Sequence, residues 1–275
     1  MSTVEDDEQD LTRKQRREQA RADRKELEQA AAASAIRRTR LIQLGIVAGI
    51  VVVIIVAVVL ATGGSSKKGI ASPGKGTEQV VKEVSALVGG IPQAGNTIGD
   101  PKAPVTLQYF GDLECPICKT FTLGALQSLI PTYVRTGKLK IEYRTLETAT
   151  KEPETFKTQQ VAALAAGKQQ KMWYFIELFY RQQGEENTEY VTESYLHKLA
   201  QQVPGLNLTA WSAARSDPEL ASSITTDTQA ANAAGFTGTP SFLIGKTGGR
   251  MQKLEYSSLT DPASFDSAIE SALKA

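Results

Sequence analysis

The only two cysteines of the chain, Cys115 and Cys118, stand two residues apart in the run Phe110-Gly111-Asp112-Leu113-Glu114-Cys115-Pro116-Ile117-Cys118-Lys119. A C-x-x-C pair where a strand passes into a helix puts both sulfurs on one helix face, one turn apart. At that distance a disulfide can close and open again. Pro116 suits the first helical turn, where its missing N–H costs nothing and its φ is already helical. Cys115 then sits at the helix N-terminus, where free N–H groups and the macrodipole favour a thiolate. Cys118, further into the helix, is expected to be more buried and to act as the resolving thiol. A thiol lowered from ~8.5 to about 5.5 gains about 2 kcal/mol as thiolate at pH 7, making its disulfide more oxidising by about 45 mV. Asp112 and Glu114 oppose the thiolate by like-charge repulsion if they lie near it.

Other uses of the pair are weaker. A zinc half-site needs two more ligands, and His197 is the only histidine in the chain. A structural disulfide between residues three apart restrains a very short loop and stabilises little. Redox chemistry is the reading left, and it calls for no metal or other cofactor. Two cysteines also cannot build a disulfide scaffold, so the fold must rest on an apolar core. The formal net charge of +1 gives no reason to expect nucleic acid as a partner.

The elements that must position this pair begin far upstream. Residues 1–40 read as a charged, solvated tail, acidic at Glu5 to Asp10 and rich in helix formers from Leu11 to Ile36. Residues 41–61 are apolar apart from Gln43, long enough at ~1.5 Å per residue to span a ~30 Å hydrocarbon core. A cleaved signal peptide has a shorter apolar region close to the start, and no cysteine follows for lipoprotein processing. The stretch is therefore read as an uncleaved transmembrane signal anchor. Arg37, Arg38 and Arg40 abut its N-terminal end, against Lys67, Lys68 and Lys75 on the other side. The positive-inside rule then places the tail in the cytoplasm and the remainder outside, where disulfides persist.

Residues 62–102 form a linker: a Gly/Ser/Lys-rich tether, a short helix over Thr77 to Val88, then glycines and prolines that break regular structure. The folded domain is expected over 103–275. Val105 to Phe110 reads as a buried strand. Cys115 to Val134 has helical spacing, with a break near Pro131. Lys138 to Leu146 alternates as a half-covered strand. Residues 153–236 read as a helical block. Ser241 to Ile244 and Met251 to Tyr256 form a hairpin across Gly248-Gly249. Asp261 caps a closing helix, with Pro262 at its first position. The class is α/β, and Trp173 with its aromatic neighbours is assigned to the core. His197 reads as an ordinary helical or surface histidine.

Through the run Phe110 to Cys118, the chain resembles the thioredoxin-fold, DsbA-like disulfide oxidoreductases of bacterial envelopes. The likeness extends over roughly Ile98 to Leu273 and includes Ala103-Pro104-Val105, the Trp173 to Phe179 helix and Gly238-Thr239-Pro240-Ser241-Phe242. It implies a thioredoxin fold with a helical insertion at 153–236, preceded here by the single transmembrane helix. It implies a cis Thr239–Pro240 bond beside the redox cysteines, with Thr239 touching the Cys115 sulfur. Cys115 and Cys118 become the catalytic pair, and Pro116, Ile117, Thr239 and Pro240 the substrate-binding residues.

Two departures matter. Many relatives carry a buried acid six residues before the first cysteine, where this chain has Tyr109. Strongly oxidising members often have His between the cysteines, where Ile117 supplies neither charge nor hydrogen bond. A milder oxidant is expected. The leading reading is an anchored extracytoplasmic oxidoreductase that oxidises exported proteins bearing reduced cysteines and is reoxidised by a membrane quinone-linked protein. Its rivals are an envelope reductase or isomerase, and a non-catalytic anchored interaction module.

Overall fold

The computed structural model describes residues 75–275. The charged tail, the apolar stretch 41–61 and most of the tether lie outside the described residues. Among the described residues no helix is long and apolar enough to cross a membrane.

The centre of the sheet is β3 (Val105–Gly111), whose side chains are buried almost throughout. That fits a near-continuous apolar run covered on both faces. It pairs in parallel with β4 (Leu139–Thr145) and antiparallel with β5 (Ser241–Lys246). On β4 the alternation read from the sequence is met, with Leu139, Ile141 and Tyr143 buried and the charged residues between them half-buried. Outside this trio lie β1 (Gln93–Ala94) and β2 (Thr97–Ile98) at one edge and β6 (Gln252–Lys253) at the other. The strand order is β1-β2-β4-β3-β5-β6.

Nine helices accompany the sheet among the described residues: α1 (Lys75–Val88), α2 (Pro116–Leu123), α3 (Leu126–Leu129), α4 (Pro153–Gly167), α5 (Met172–Arg181), α6 (Glu193–Gln201), α7 (Leu208–Ala214), α8 (Pro218–Ala233) and α9 (Ala263–Lys274). Helices α4 to α8 are the helical block, inserted between β4 and β5. Val105, Leu107 and Tyr109 point from β3 into the main core, together with Phe121, Phe242 and Phe265. Phe110, on the opposite face, forms a smaller cluster with Leu146 and Ala231. There α8 is fastened to β4, because Asp227 accepts from the Thr145 N–H (2.8 Å) and pairs with Arg144 (3.1 Å).

Three expectations need correction. The fold does not begin near Ala103. Gln93 and Thr97 already add two strands to the sheet, and Val84 and Val88 of α1 are buried in the core. The glycines that suggested irregular chain serve the turns between these short pieces, with Gly95 at φ 56°.

The redox helix, in turn, already breaks at Gly124, which was not expected, and its α-helical pattern gives way again beside Pro131, as expected. A Cβ on Gly124 would stand 2.6 Å from the Leu259 carbonyl oxygen and 2.8 Å from the Thr260 Cα. The closing loop thus passes too near for any side chain, and Ala125 donates its N–H to Leu259 (2.9 Å). Pro131 is absorbed in a single π-helical turn over Ile130–Val134, with Arg135 N–H bonded to the Ile130 carbonyl (2.8 Å). At the last helix, Pro262 takes the cap position, while the Asp261 carboxylate still accepts from the Ala263 N–H at 3.0 Å.

Candidate functional site

Strand β3 ends at Gly111, and the turn that follows delivers Cys115 to the N-cap of α2 in an extended conformation. Its backbone N–H is held by the Asp112 carbonyl (3.1 Å), and its carbonyl accepts from Lys119 (3.1 Å). Pro116 is the first residue of the helix, as its fixed φ favours. Both cysteines are free thiols. The Cys118 N–H points at the Cys115 sulfur (3.4 Å), and Cys118 itself is fully buried.

The loop before β5 meets this turn from the other side. The Thr239–Pro240 bond is cis, as the resemblance implied. The Cys115 thiol donates to the Thr239 carbonyl at 3.5 Å, so residues 124 apart in sequence are brought together. Pro240 is buried, and its carbonyl accepts from the Tyr256 hydroxyl (3.2 Å). Pro116 is exposed, and Ile117 projects with 51% of its surface free. Cys115, Cys118, Thr239 and Pro240 thus form one cluster, with Pro116 and Ile117 on its rim.

The electrostatics separate the two sulfurs. Hydrogen bonding from the Cys118 thiol, aided by the Thr239 hydroxyl and the N–H groups of Cys118 and Ile117, lowers Cys115 to about 6 against the opposing effect of burial. Cys118 is pushed well above the ordinary thiol range, chiefly by burial. The pair is therefore a ready thiolate beside a protonated reserve.

This division predicts a pH dependence. Because Cys115 titrates below its unfolded value, its thiolate stabilises the reduced protein fully above the ordinary ~8.5, and that contribution is lost as the pH falls through about 6. Alkylation of Cys115 by iodoacetamide should accordingly rise with pH to a midpoint at about 6. A midpoint at the ordinary thiol value of ~8.5 would remove the activated nucleophile from the argument.

Several contacts were not legible in the sequence. Gln183, just beyond α5, donates to the carbonyls of Leu113 (2.7 Å) and Cys115 (3.1 Å), tying the turn to the helical block. Asp112 is fully buried, with its carboxylate turned to the loop after β4. Tyr109 donates its hydroxyl to Tyr180 (3.1 Å), which donates to the Asp112 carbonyl (3.0 Å). Burial raises Tyr109, Tyr143 and Tyr180 well above the ordinary phenol range, so these hydroxyls act as donors and not as bases. Glu114 is buried and pushed up, first by that burial. His197 lies exposed beside Trp211, with ring centroids 6.1 Å apart. Asn207, in an Asn-x-Thr sequence, caps α7 by accepting from the Ala210 N–H (2.9 Å).

A family profile described as thioredoxin matches residues 93–269. A protein of Bacillus anthracis described as "Probable disulfide bond formation protein D" is 24% identical over 155 residues, covering 54% of this chain and 68% of that protein. Among solved structures, oxidised BdbD of Bacillus subtilis has a TM-score of 0.56 at 21% identity, covering 69% of this chain and 99% of that one. Alpha-DsbA1 of Wolbachia pipientis has a TM-score of 0.52 at 19% identity, covering 65% and 90%. At these identities the structural likeness is one of thioredoxin-like α/β fold.

Proposed function

The chain belongs to the thioredoxin family, as a DsbA-like thiol-disulfide oxidoreductase, and on that footing we propose that it is membrane-anchored and oxidises cysteines of exported proteins through Cys115 and Cys118. The observation that carries this reading is the asymmetry of the pair: Cys115 lowered to about 6 at a helix N-cap, Cys118 fully buried behind it. A stabilised thiolate favours the reduced enzyme and so makes its disulfide the oxidant. A substrate thiolate attacks the Cys115 sulfur, and the Cys118 sulfur leaves as thiolate and takes up a proton. A second substrate thiolate then attacks the substrate sulfur of the mixed disulfide and expels the Cys115 thiolate. Two electrons have moved from substrate to enzyme, and a membrane quinone-linked protein removes them.

The Thr239 carbonyl beside the sulfur, with the exposed Pro116 and Ile117, offers a place for substrate backbone and side chain. The anchor is supported by the apolar run of residues 41–61, and the arginines at 37, 38 and 40 favour an orientation with the catalytic domain outside the membrane. That the Bacillus anthracis relative is described as a disulfide bond formation protein favours oxidation over reduction.

The deciding measurement is the redox potential of the pair against glutathione, together with oxidative refolding of a reduced substrate protein. A value well above that of thioredoxin, ~ −270 mV, and toward the ~ −120 mV of DsbA is expected. Ile117 in place of a hydrogen-bonding residue should keep it short of the upper figure. A potential at or below the thioredoxin value, with insulin reduction but no refolding, would make the protein a reductase.

A further inference from the structure

Beneath the redox turn lies a carboxylate with an unusual number of donors. Asp112, fully buried and three residues before Cys115, accepts at one oxygen from the N–H groups of Thr148 (3.1 Å), Ala149 (2.9 Å) and Thr150 (2.9 Å). At the other it accepts from the Thr150 hydroxyl (2.6 Å), the Glu114 N–H (3.1 Å) and the Gln159 side chain (3.5 Å). Its carbonyl meanwhile takes the Cys115 N–H. One residue therefore holds both the turn that carries the nucleophile and the loop that follows β4. A buried carboxylate is costly without such partners, and this one is saturated by them.

The loop it holds leads back to the sulfur. The hydroxyl of Thr148 meets the hydroxyl of Thr239 at 2.5 Å. The Thr239 carbonyl lies 3.5 Å from the Cys115 sulfur, and its hydroxyl, with a single hydrogen to give, can turn it to Thr148 or toward that sulfur. When Thr148 donates, it anchors the Thr239 side chain and leaves the Thr239 hydrogen for the thiolate; without the Thr148 hydroxyl that anchor is lost and the side chain can turn away. The Thr239 hydroxyl is among the groups that lower Cys115. The contacts form a closed circuit from Cys115 through Asp112, the 148–150 loop and Thr239, and back to Cys115.

We propose that Asp112 is a positioning residue of the redox centre: by fixing the 148–150 loop it aims the Thr148 hydroxyl at Thr239, and so turns Thr239 toward the Cys115 sulfur. The proposal rests on Cys115 being the exchanging thiol. The sign of the effect separates it from simple electrostatics. Removing a negative charge near Cys115 would by itself favour the thiolate and lower its pKa. Loss of the Thr239 hydrogen bond raises it. Glu114 and Glu147, the other carboxylates near the loop, are both pushed up, chiefly by burial and in part by the Asp112 charge.

The test is the pH midpoint of Cys115 alkylation in the full chain, read by mass spectrometry, for Asp112→Asn, Thr148→Val, Thr148→Ser and the double variant Asp112→Asn/Thr148→Val. Asp112→Asn and Thr148→Val should each raise the midpoint by about half a unit to one unit, the size of one hydrogen bond. The double variant should go no further than Asp112→Asn alone, because both cut the same path. Thr148→Ser should restore the wild-type midpoint. A falling midpoint in Asp112→Asn, additive shifts, or a lowered melting temperature with the midpoint unmoved would each overturn the proposal. Should Asp112→Asn fail to fold, Thr150→Val removes the 2.6 Å bond while keeping the carboxylate, and should raise the midpoint in the same direction. No rise in that variant is equally decisive against. The titration needs no protein substrate, so it stands or falls apart from the oxidation of exported proteins.

Discussion

Replacing Cys118 with alanine is expected to turn the protein from a turnover catalyst into a covalent trap. Without Cys118, the Cys115 thiolate still attacks an oxidised substrate, forming a mixed disulfide and releasing the substrate's second thiolate. No second enzyme thiol remains to resolve that bond, so once the leaving thiol of an intermolecular substrate disulfide has diffused away the adduct accumulates and is released by added dithiol. Cys115→Ala should give no adduct at all. At pH 7 a thiol at about 6 is about 90% ionised, whereas one at the ordinary ~8.5 is about 3% ionised. In the wild type, ionisation alone thus separates the two sulfurs by roughly 30-fold. Cys118→Ala removes the Cys118 donor, so its Cys115 keeps only the bonds from Thr239 and the N–H groups and is less ionised than in the wild type. The Cys118 left in Cys115→Ala is fully buried. The measurement is non-reducing electrophoresis of each variant after incubation with an oxidised cysteine peptide. Adduct formation by Cys115→Ala at the rate of Cys118→Ala would show that the burial and titration of the two thiols do not decide which one attacks.

The part of this site legible in sequence was the part written in local signals. A proline after the first cysteine and a strand before it each carry their own backbone consequence, whereas Thr239-Pro240 entered only through the family resemblance, and the structure brings Cys115, Pro116, Cys118, Thr239 and Pro240 together. The alternation of Leu139, Ile141 and Tyr143 likewise gave β4 its facing. What could not be read were contacts made across the fold. Asp112 reads in sequence as a charge that opposes a thiolate, because nothing local says that residues 148 to 150 return to saturate it. The helix break at Gly124 is imposed by Leu259 and Thr260, more than a hundred residues away. The two-residue strands at 93–94 and 97–98 are too short to show a period, and a sheet edge had to be present for them to form.

Those short strands owe their place to Trp173, and replacing it with alanine should cost the most stability of any single change considered. The indole is fully buried on α5, and its N–H donates to the Asn96 carbonyl at 3.0 Å. The same carbonyl accepts from Tyr143 N–H on β4 (3.0 Å), and the Asn96 side chain returns a bond to the Tyr143 carbonyl (2.8 Å). The Trp173 backbone N–H holds Gln93 through its side chain at 3.1 Å. Trp173 therefore joins the helical block to the β1–β2 turn and, through it, to the central sheet. Truncating such a ring costs about 3–5 kcal/mol, a large share of the ~5–15 kcal/mol that holds an ordinary domain folded. With a urea dependence of roughly 2–3 kcal/mol per molar, the unfolding midpoint should fall by about 1–2.5 M. Trp173→Phe keeps most of the buried ring and loses the N–H, so it should cost clearly less, and the difference between the variants separates packing from the hydrogen bond. Both variants, measured well below their melting temperatures, should keep the Cys115 alkylation midpoint at about 6, because no bond of Trp173 runs to the redox turn. If Trp173→Ala instead remained as stable as the wild type but lost exchange with peptide substrates, the aromatic cluster on α5 would have to be read as a binding cleft and not as the core that carries the sheet edge.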